Sequence, residues 1–215
     1  MSSQKVVIFD WDGTVMDSIG KIVNCVQGAA KALNIPVPDH HQAKQIIGLS
    51  LETAFATLFP NVDKPTVLLL CEAYKDIYLH QDKTATPLFT GAVELFERLR
   101  QQDYLLAVAT GKTRIGLNRM LEETNTAHFF ATSRCADEAK SKPDPQMLQL
   151  ILAELACPAD QALMVGDTTH DLAMAHAIDM PRVGITHGVH SALDFAPFAP
   201  KAVIHSLPEL LAHCA

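Results

Sequence analysis

Residues 5–15 read Lys-Val-Val-Ile-Phe-Asp-Trp-Asp-Gly-Thr-Val, and the rest of the chain takes its meaning from them. Val6 to Phe9 form an unbroken apolar run. It is too short for a helix and rich in β-branched residues, which predicts a strand buried on both faces. The run stops at Asp10, and Asp12 follows two residues on. Gly13 then permits a tight turn that can bring backbone N–H groups close to whatever the carboxylates hold. Open α/β sheets bind ligands at the carboxyl ends of their strands, where these acids fall. A turn cap would account for one acid and the glycine. It would not account for a wholly apolar strand ending in two like charges, which repel unless a cation or a shared proton relieves them.

From Val15 the spacing changes from strand to helix. Ile19, Ile22, Val23, Val26, Ala30 and Leu33 share one face, with Asp17 or Ser18 available as N-cap and Pro36 and Pro38 beyond the end. Further helices are expected from about Asp39 to Ile47, after Ser50, and from Pro65 onward. Residues 15–85 thus read as a helical bundle without a strand, and 84–90, with Pro87, as a hinge or linker. Strands and helices then alternate. Strands are expected at 105–109, 129–131, 163–165, 182–185 and 202–204, and helices at 91–101, 114–123, from Pro145, and at 170–177. Such alternation indicates a parallel sheet with helices on both faces. The first strand precedes the bundle and its partners follow it. The bundle is therefore an insertion at 15–85, and the α/β core is built from 1–14 and 86–215.

The bulk numbers exclude several classes. At 215 residues and 48% hydrophobic content the chain can bury a sizeable core. A net charge of -7 argues against nucleic acid or an anionic membrane as partner. No basic-then-apolar leader is visible at the N-terminus, and no apolar run approaches the ~20 residues of a membrane span. Cys25, Cys71, Cys135, Cys157 and Cys214 are odd in number and form no Cys-x-x-Cys pair, as expected of reduced thiols in a cytoplasmic protein. None of the ten histidines stands in a zinc-like pattern with nearby acids. His170, His187 and His190 read as surface or rim residues.

Three later segments carry chemistry. Ala109-Thr110-Gly111-Lys112 ends a predicted strand and precedes a helix. It reads either as a plain turn or as an anion site made by a hydroxyl and helix N-terminal N–H groups. In Lys140-Ser141-Lys142-Pro143-Asp144-Pro145 two prolines stiffen the loop that carries Lys142, and Asp144 can cap the next helix. In Gly166-Asp167-Thr168-Thr169-His170-Asp171 a helix starting near Thr168 would direct Asp167 and Asp171 to the same side, one turn apart. Two oxygen donors so placed suit a hard cation such as Mg²⁺, which takes a few carboxylates plus water and phosphate.

Taken in order, Asp10-Trp11-Asp12-Gly13-Thr14-Val15, Thr110, Lys142 before Pro143, and Gly166-Asp167 to Asp171 resemble motifs I to IV of the haloacid dehalogenase (HAD) superfamily of phosphotransferases. The helical insertion just after motif I resembles the C1-capped branch, which includes phosphoglycolate phosphatase-like and β-phosphoglucomutase-like enzymes. The resemblance implies a Rossmann-like core with an inserted helical cap. It also implies Mg²⁺-dependent hydrolysis of a small phosphorylated metabolite. By the same resemblance Asp10 is the nucleophile and Asp12 the acid and base, while Thr110, Gly111 and Lys142 hold the phosphoryl oxygens. Asp10, Asp167 and the backbone carbonyl of Asp12 bind the metal, with Asp171 orienting a water or serving as ligand. A phosphomutase would share all four motifs, whereas a dehalogenase lacks the second motif I aspartate. A phospho-ligand binding module would be expected to have lost a motif residue, and none is lost. A sugar bisphosphate needs a second cationic grip, for which arginine is best suited. Residues 15–85 contain no arginine, and the loop 47–52 expected to face the site has no basic residue.

Overall fold

The computed structural model describes residues 5–214. Residues 1–4 and 215, assigned above to the core, lie outside the described residues. Six strands form one sheet: β1 (Val6–Phe9), β2 (Leu105–Ala109), β3 (Phe130–Arg134), β4 (Ala162–Gly166), β5 (Arg182–Ile185) and β6 (Ala202–Ile204). All neighbours are parallel, in the order β3-β2-β1-β4-β5-β6. The chain leaves β1 toward β2 and later returns to its other side as β4. That reversal is the switch point at which open α/β sheets hold ligands.

The pleat decides which residue faces which layer. Val7 and Phe9 point to one face and join a cluster with Leu95, Phe96 and Leu99 of α5 (Ala92–Gln101) and Leu117 and Met120 of α6 (Arg114–Glu123). Val6 and Ile8 point to the other and pack with Met147, Leu148 and Ile151 of α7 (Gln146–Glu154) and Met174 and Ala175 of α8 (Thr169–His176). All four β1 side chains are buried. At ~1.5–3 kcal/mol for each such side chain removed from water, this strand is a firm anchor for the acids that follow it.

The insert comprises α1 (Ile19–Ala32), α2 (His40–Gln45), α3 (Leu51–Leu58), α4 (Lys64–Asp76) and a π-helical turn, Ile77–Gln81. Its apolar stripes meet in a cluster of their own, built on Val26, Ala29, Phe55, Leu70 and Tyr74, which Val189 of the β5–β6 connection joins. Asp39, Ser50 and Asp63 cap α2, α3 and α4 through backbone N–H groups, as their residue types suggest. The two passes between insert and sheet are bonded to each other. Phe89 N–H donates to the Val15 carbonyl (2.9 Å) and Asp17 N–H to the Pro87 carbonyl (2.8 Å).

Several expectations need correction. The strand expected at 129–131 runs from Phe130 to Arg134. Phe129 belongs to a 3₁₀ turn and is buried against Phe96. As an edge strand, β3 has no fully buried residue, so polar Thr132, Ser133 and Arg134 can extend it where an apolar run cannot be seen. Ser18 occupies the α1 N-cap position but makes no side-chain cap bond. Pro145, not Asp144, stands at the α7 N-cap, although Asp144 still accepts from Gln146 N–H. A short helix, α9 (Ala192–Phe195), and a 3₁₀ segment at Leu207–His213 had no counterpart in the sequence reading. Among the described residues no helix is long and apolar enough to cross a membrane.

Candidate active site

Asp10 follows β1, Thr110 follows β2 and Asp167 follows β4, so three adjacent strands deliver them to the same edge of the sheet. Asp10, Lys142, Asp167 and Asp171 are all buried. Lys142 Nζ donates to Asp10 Oδ1 at 2.5 Å and to Asp171 Oδ1 at 2.6 Å. Carboxylate oxygens of Asp10, Asp167 and Asp171 lie within 4.8 Å of one another. Small residues make room for this crowding. A Cβ on Gly166 would stand 2.3 Å from Asp171 Cβ, and one on Gly188 would stand 2.1 Å from Asp167 Oδ2.

The three acids are not equivalent. Asp171 Oδ2 accepts from Thr168 Oγ1 (2.6 Å) and, as part of the capping box of α8, from Thr168 N–H (3.2 Å), while Oδ1 holds Lys142. Asp167 accepts from Thr14 Oγ1 and from Val189 N–H, each at 2.8 Å. Asp10 Oδ2 is buried without a hydrogen-bond partner, a costly state for a carboxylate oxygen unless something else completes it.

Three carboxylates share one buried lysine. Burial, with Asp171 and Asp167 nearby, pushes Asp10 well above the usual carboxylate range, against the pull of Lys142. Burial and Asp171 push Asp167 up to about 7. Burial works against the Lys142 ammonium, but Asp10 and Asp171 outweigh it and hold its pKa above the ordinary lysine value. The cluster is short of positive charge. Hard oxygen donors, an orphaned buried oxygen on Asp10 and the charge deficit together fit a small divalent cation such as Mg²⁺. Asp10, Asp167 and Asp171 could each offer it a carboxylate oxygen.

The Asp12 carboxylate is not part of that cluster. Its Oδ1 accepts from Ser18 Oγ at 2.5 Å and pairs with Lys112 Nζ at 2.9 Å. This explains why Ser18 leaves the α1 cap unmade. Lys112 was not singled out from the sequence, although it follows Gly111 directly in the segment that was. Its ammonium lies 5.3 Å from the centre of the Tyr78 ring on the π-helical turn. Burial opposes its charge, but Asp12 and Tyr78 hold its pKa above the usual lysine value. The buried Thr110 hydroxyl accepts from Lys112 N–H at 3.2 Å. Gly111 meets the insert so closely that a Cβ there would lie 2.6 Å from the carbonyl oxygens of Gly48 and Leu49.

The insert closes over this edge. Ser50 N–H donates to Ser141 Oγ (2.9 Å). His190 Nδ1 accepts from Thr169 N–H, which leaves Nε2 to donate to Gln45 Oε1 at 2.9 Å. His170 Nε2 lies 3.4 Å from the Gln45 carbonyl oxygen. Those two histidines thus line the seam between insert and sheet, while His187 stacks on Phe89 of the linker. Trp11 is fully buried against Phe130 and is a core residue. All five cysteines are buried.

Comparison with known proteins agrees with this geometry. The sequence model of the haloacid dehalogenase-like hydrolase family matches residues 7–185. The chain is 33% identical over 210 residues to "Probable phosphatase IndB" of Dickeya dadantii, covering 96% of this chain and 91% of that one. It is 26% identical to the phosphoglycolate phosphatase of Vibrio cholerae, over 98% and 97% of the two chains. A haloacid dehalogenase-like family hydrolase from Streptococcus pneumoniae superposes with a TM-score of 0.85 at 26% identity, over the full length of both. The family match runs from β1 through β5 and so spans every strand end that carries an acid or Thr110. On these grounds the chain belongs to the haloacid dehalogenase-like hydrolases.

Proposed function

We propose that the protein hydrolyses a small-molecule phosphate monoester in two phosphoryl transfers through Asp10. The observation that carries this reading is the Asp10 carboxylate. One oxygen is pinned by Lys142 and the other is buried, unpaired and beside two further acids. The phosphatase names of the two relatives support it. A bound Mg²⁺ would neutralise the acids and the phosphoryl oxygens, which is most of what phosphoryl transfer asks of a protein.

In the first transfer an Asp10 oxygen bonds to phosphorus as the phosphorus–oxygen bond to the alcohol breaks. Asp12 gives its proton to the departing alkoxide oxygen. Thr110, the Gly111 backbone and Lys142 hold the phosphoryl oxygens. In the second, Asp12 takes a proton from water, the water oxygen bonds to phosphorus, and the bond to Asp10 breaks. Inorganic phosphate leaves with both aspartates restored. Ser18 and Lys112 both hold Asp12 through Oδ1, which fixes the carboxyl for both proton transfers. In this reading residues 15–85 serve as a cap on a core of 5–14 and 86–214, and five reduced thiols suit the cytosol.

The test is phosphate release from a panel of phosphomonoesters by the purified protein with Mg²⁺. β-Glucose 1-phosphate with a trace of glucose 1,6-bisphosphate is included, and glucose 6-phosphate is followed against free phosphate. Hydrolysis without isomer is expected. Isomer formation outpacing phosphate release would put a phosphomutase in its place.

A further inference from the structure

We infer that the group esterified to the phosphate is a bulky, uncharged and predominantly apolar alcohol, housed in the cavity between insert and sheet. The inference rests on the phosphatase reading above. A cavity of ≈ 610 Å³ opens beside Asp12. That lies in the ~300–1,000 Å³ range of pockets that enclose molecules of many atoms, far beyond a two-carbon acid such as glycolate. Its insert side is made by Ile22, Val26, Ile47, Leu49, Leu51 and Tyr78, and its sheet side by Gly111, Thr113 and Met120.

The charged groups along the cavity do not serve an anionic ligand. Lys112 is paired with Asp12 at the inner end. Lys75 lines the cavity but is exposed, so its charge is solvated and screened. Arg119 is exposed and bonded to Glu123 at 2.6 Å, and Asp137 accepts from Arg114 N–H. A carboxylate on the leaving group would therefore find half-buried Lys112 already engaged, and would be desolvated among mostly apolar side chains at a cost.

A second observation points the same way. Ile115 on α6 is 83% exposed and Leu79 on the π-helical turn is 44% exposed, and both line this cavity from opposite sides of its mouth. Large aliphatic side chains left open to water at the two lips of one cavity are surface that an apolar ligand would cover.

The experiment compares three primary-alkyl esters, so that leaving-group acidity is similar: 2-(1-naphthyl)ethyl phosphate, ethyl phosphate and 2-phosphoglycolate. Values of kcat/KM are measured with Mg²⁺, alongside calorimetric binding of 2-(1-naphthyl)ethylphosphonate and phosphonoacetate, which cannot be hydrolysed. The naphthyl ester should exceed both others by at least about tenfold, since even one methylene in an apolar pocket discriminates by ~10-fold or more. Ile115→Asp, at an exposed position, should lower the ratio of naphthylethyl to ethyl ester, mainly through KM. Preference for 2-phosphoglycolate, or a ratio unmoved in Ile115→Asp, would overturn the inference while leaving hydrolysis standing. If no ester releases phosphate, the hydrolytic reading falls and calorimetry alone decides. Tighter binding of the naphthyl phosphonate upholds the apolar site, and equal or tighter binding of phosphonoacetate overturns it.

Discussion

The floor and the roof of the cleft are built on opposite principles. On the floor, Asp10, Lys142, Asp167 and Asp171 are buried, ionisable and cross-bonded at 2.5–2.8 Å to one another or to neighbouring hydroxyl and N–H groups. The roof is a helical bundle with no arginine in 15–85 and a mostly apolar inner surface in which Tyr74 and Tyr78 stand among aliphatic side chains. Hydrogen bonds and ion pairs are directional, and in a dry site they are preorganised for charge that moves during reaction. Apolar contact is non-directional and scales with area, so a roof of this kind selects by size and polarity rather than by orientation. On the function proposed above, chemistry and selectivity fall to different materials, and each can be broken without the other.

The largest effect is expected at Asp10. Asp10→Asn keeps the shape but removes the attacking oxygen and a metal ligand, so turnover should fall by at least about 10⁴-fold while circular dichroism stays native. Wild-type-like phosphate release from this variant would rule Asp10 out as nucleophile.

Chelation attacks the charge balance of the same floor. EDTA should abolish phosphate release, and Mg²⁺ at about a hundred times its Kd should add ~2.7 kcal/mol of stability by linkage, read as a rise in Tm. In metal-free protein, burial and crowding raise the folded pKa values of Asp10 and Asp167 above their unfolded ones. The folded state then binds more protons, so stability should fall as pH rises from the unfolded carboxylate value near ~4 toward about 7. A metal-free Tm that climbs across that window would contradict this account of the acids.

Lys142→Ala leaves buried carboxylates without their counter-charge. Breaking a buried pair in this way costs about 3–5 kcal/mol, measurable by urea denaturation, in addition to the loss of activity. A loss under ~1 kcal/mol would mean that the floor is better solvated than the burial of these groups implies.

Smaller effects should separate acid–base work from positioning. Asp12→Ala should slow an alkyl phosphate by about 10²-fold or more, and p-nitrophenyl phosphate less, because that leaving group needs little protonation. Lys112→Ala, acting only through Asp12, should show the same pattern at lower amplitude. Equal losses on both esters would remove the pair from the leaving-group step. Smallest of all is the seam between floor and roof. Gly111→Ala places a methyl 2.6 Å from two insert carbonyls. Relieving such an overlap costs ~1–3 kcal/mol, so kcat/KM should drop about tenfold and Tm should fall by a few degrees, about 2–4 °C per kcal/mol. An unchanged kcat/KM would show that the closed seam is not needed for turnover.

Much of this molecule was readable one segment at a time. The apolar run Val6–Phe9, the alternation beyond residue 90 and the capping residue Ser50 act within a few positions of themselves. Periodicity and turn chemistry therefore located the strand ends that carry Asp10, Thr110 and Asp167, and the loop that carries Lys142. What tertiary structure alone decided is which of these groups meet. Lys142 reaches Asp10 across 132 positions and Thr14 reaches Asp167 across 153, distances bridged only by strand order and register. Asp171 reads in the sequence as a possible ligand, and the fold adds that it holds Lys142. Ser18 reads as a helix cap, and in the fold it and Lys112 hold Asp12. The polar extension of the edge strand β3 through Thr132, Ser133 and Arg134 and the exposure of Ile115 and Leu79 beside one cavity were equally beyond the sequence. Partnership and exposure depend on what packs alongside, and no local pattern encodes the neighbour.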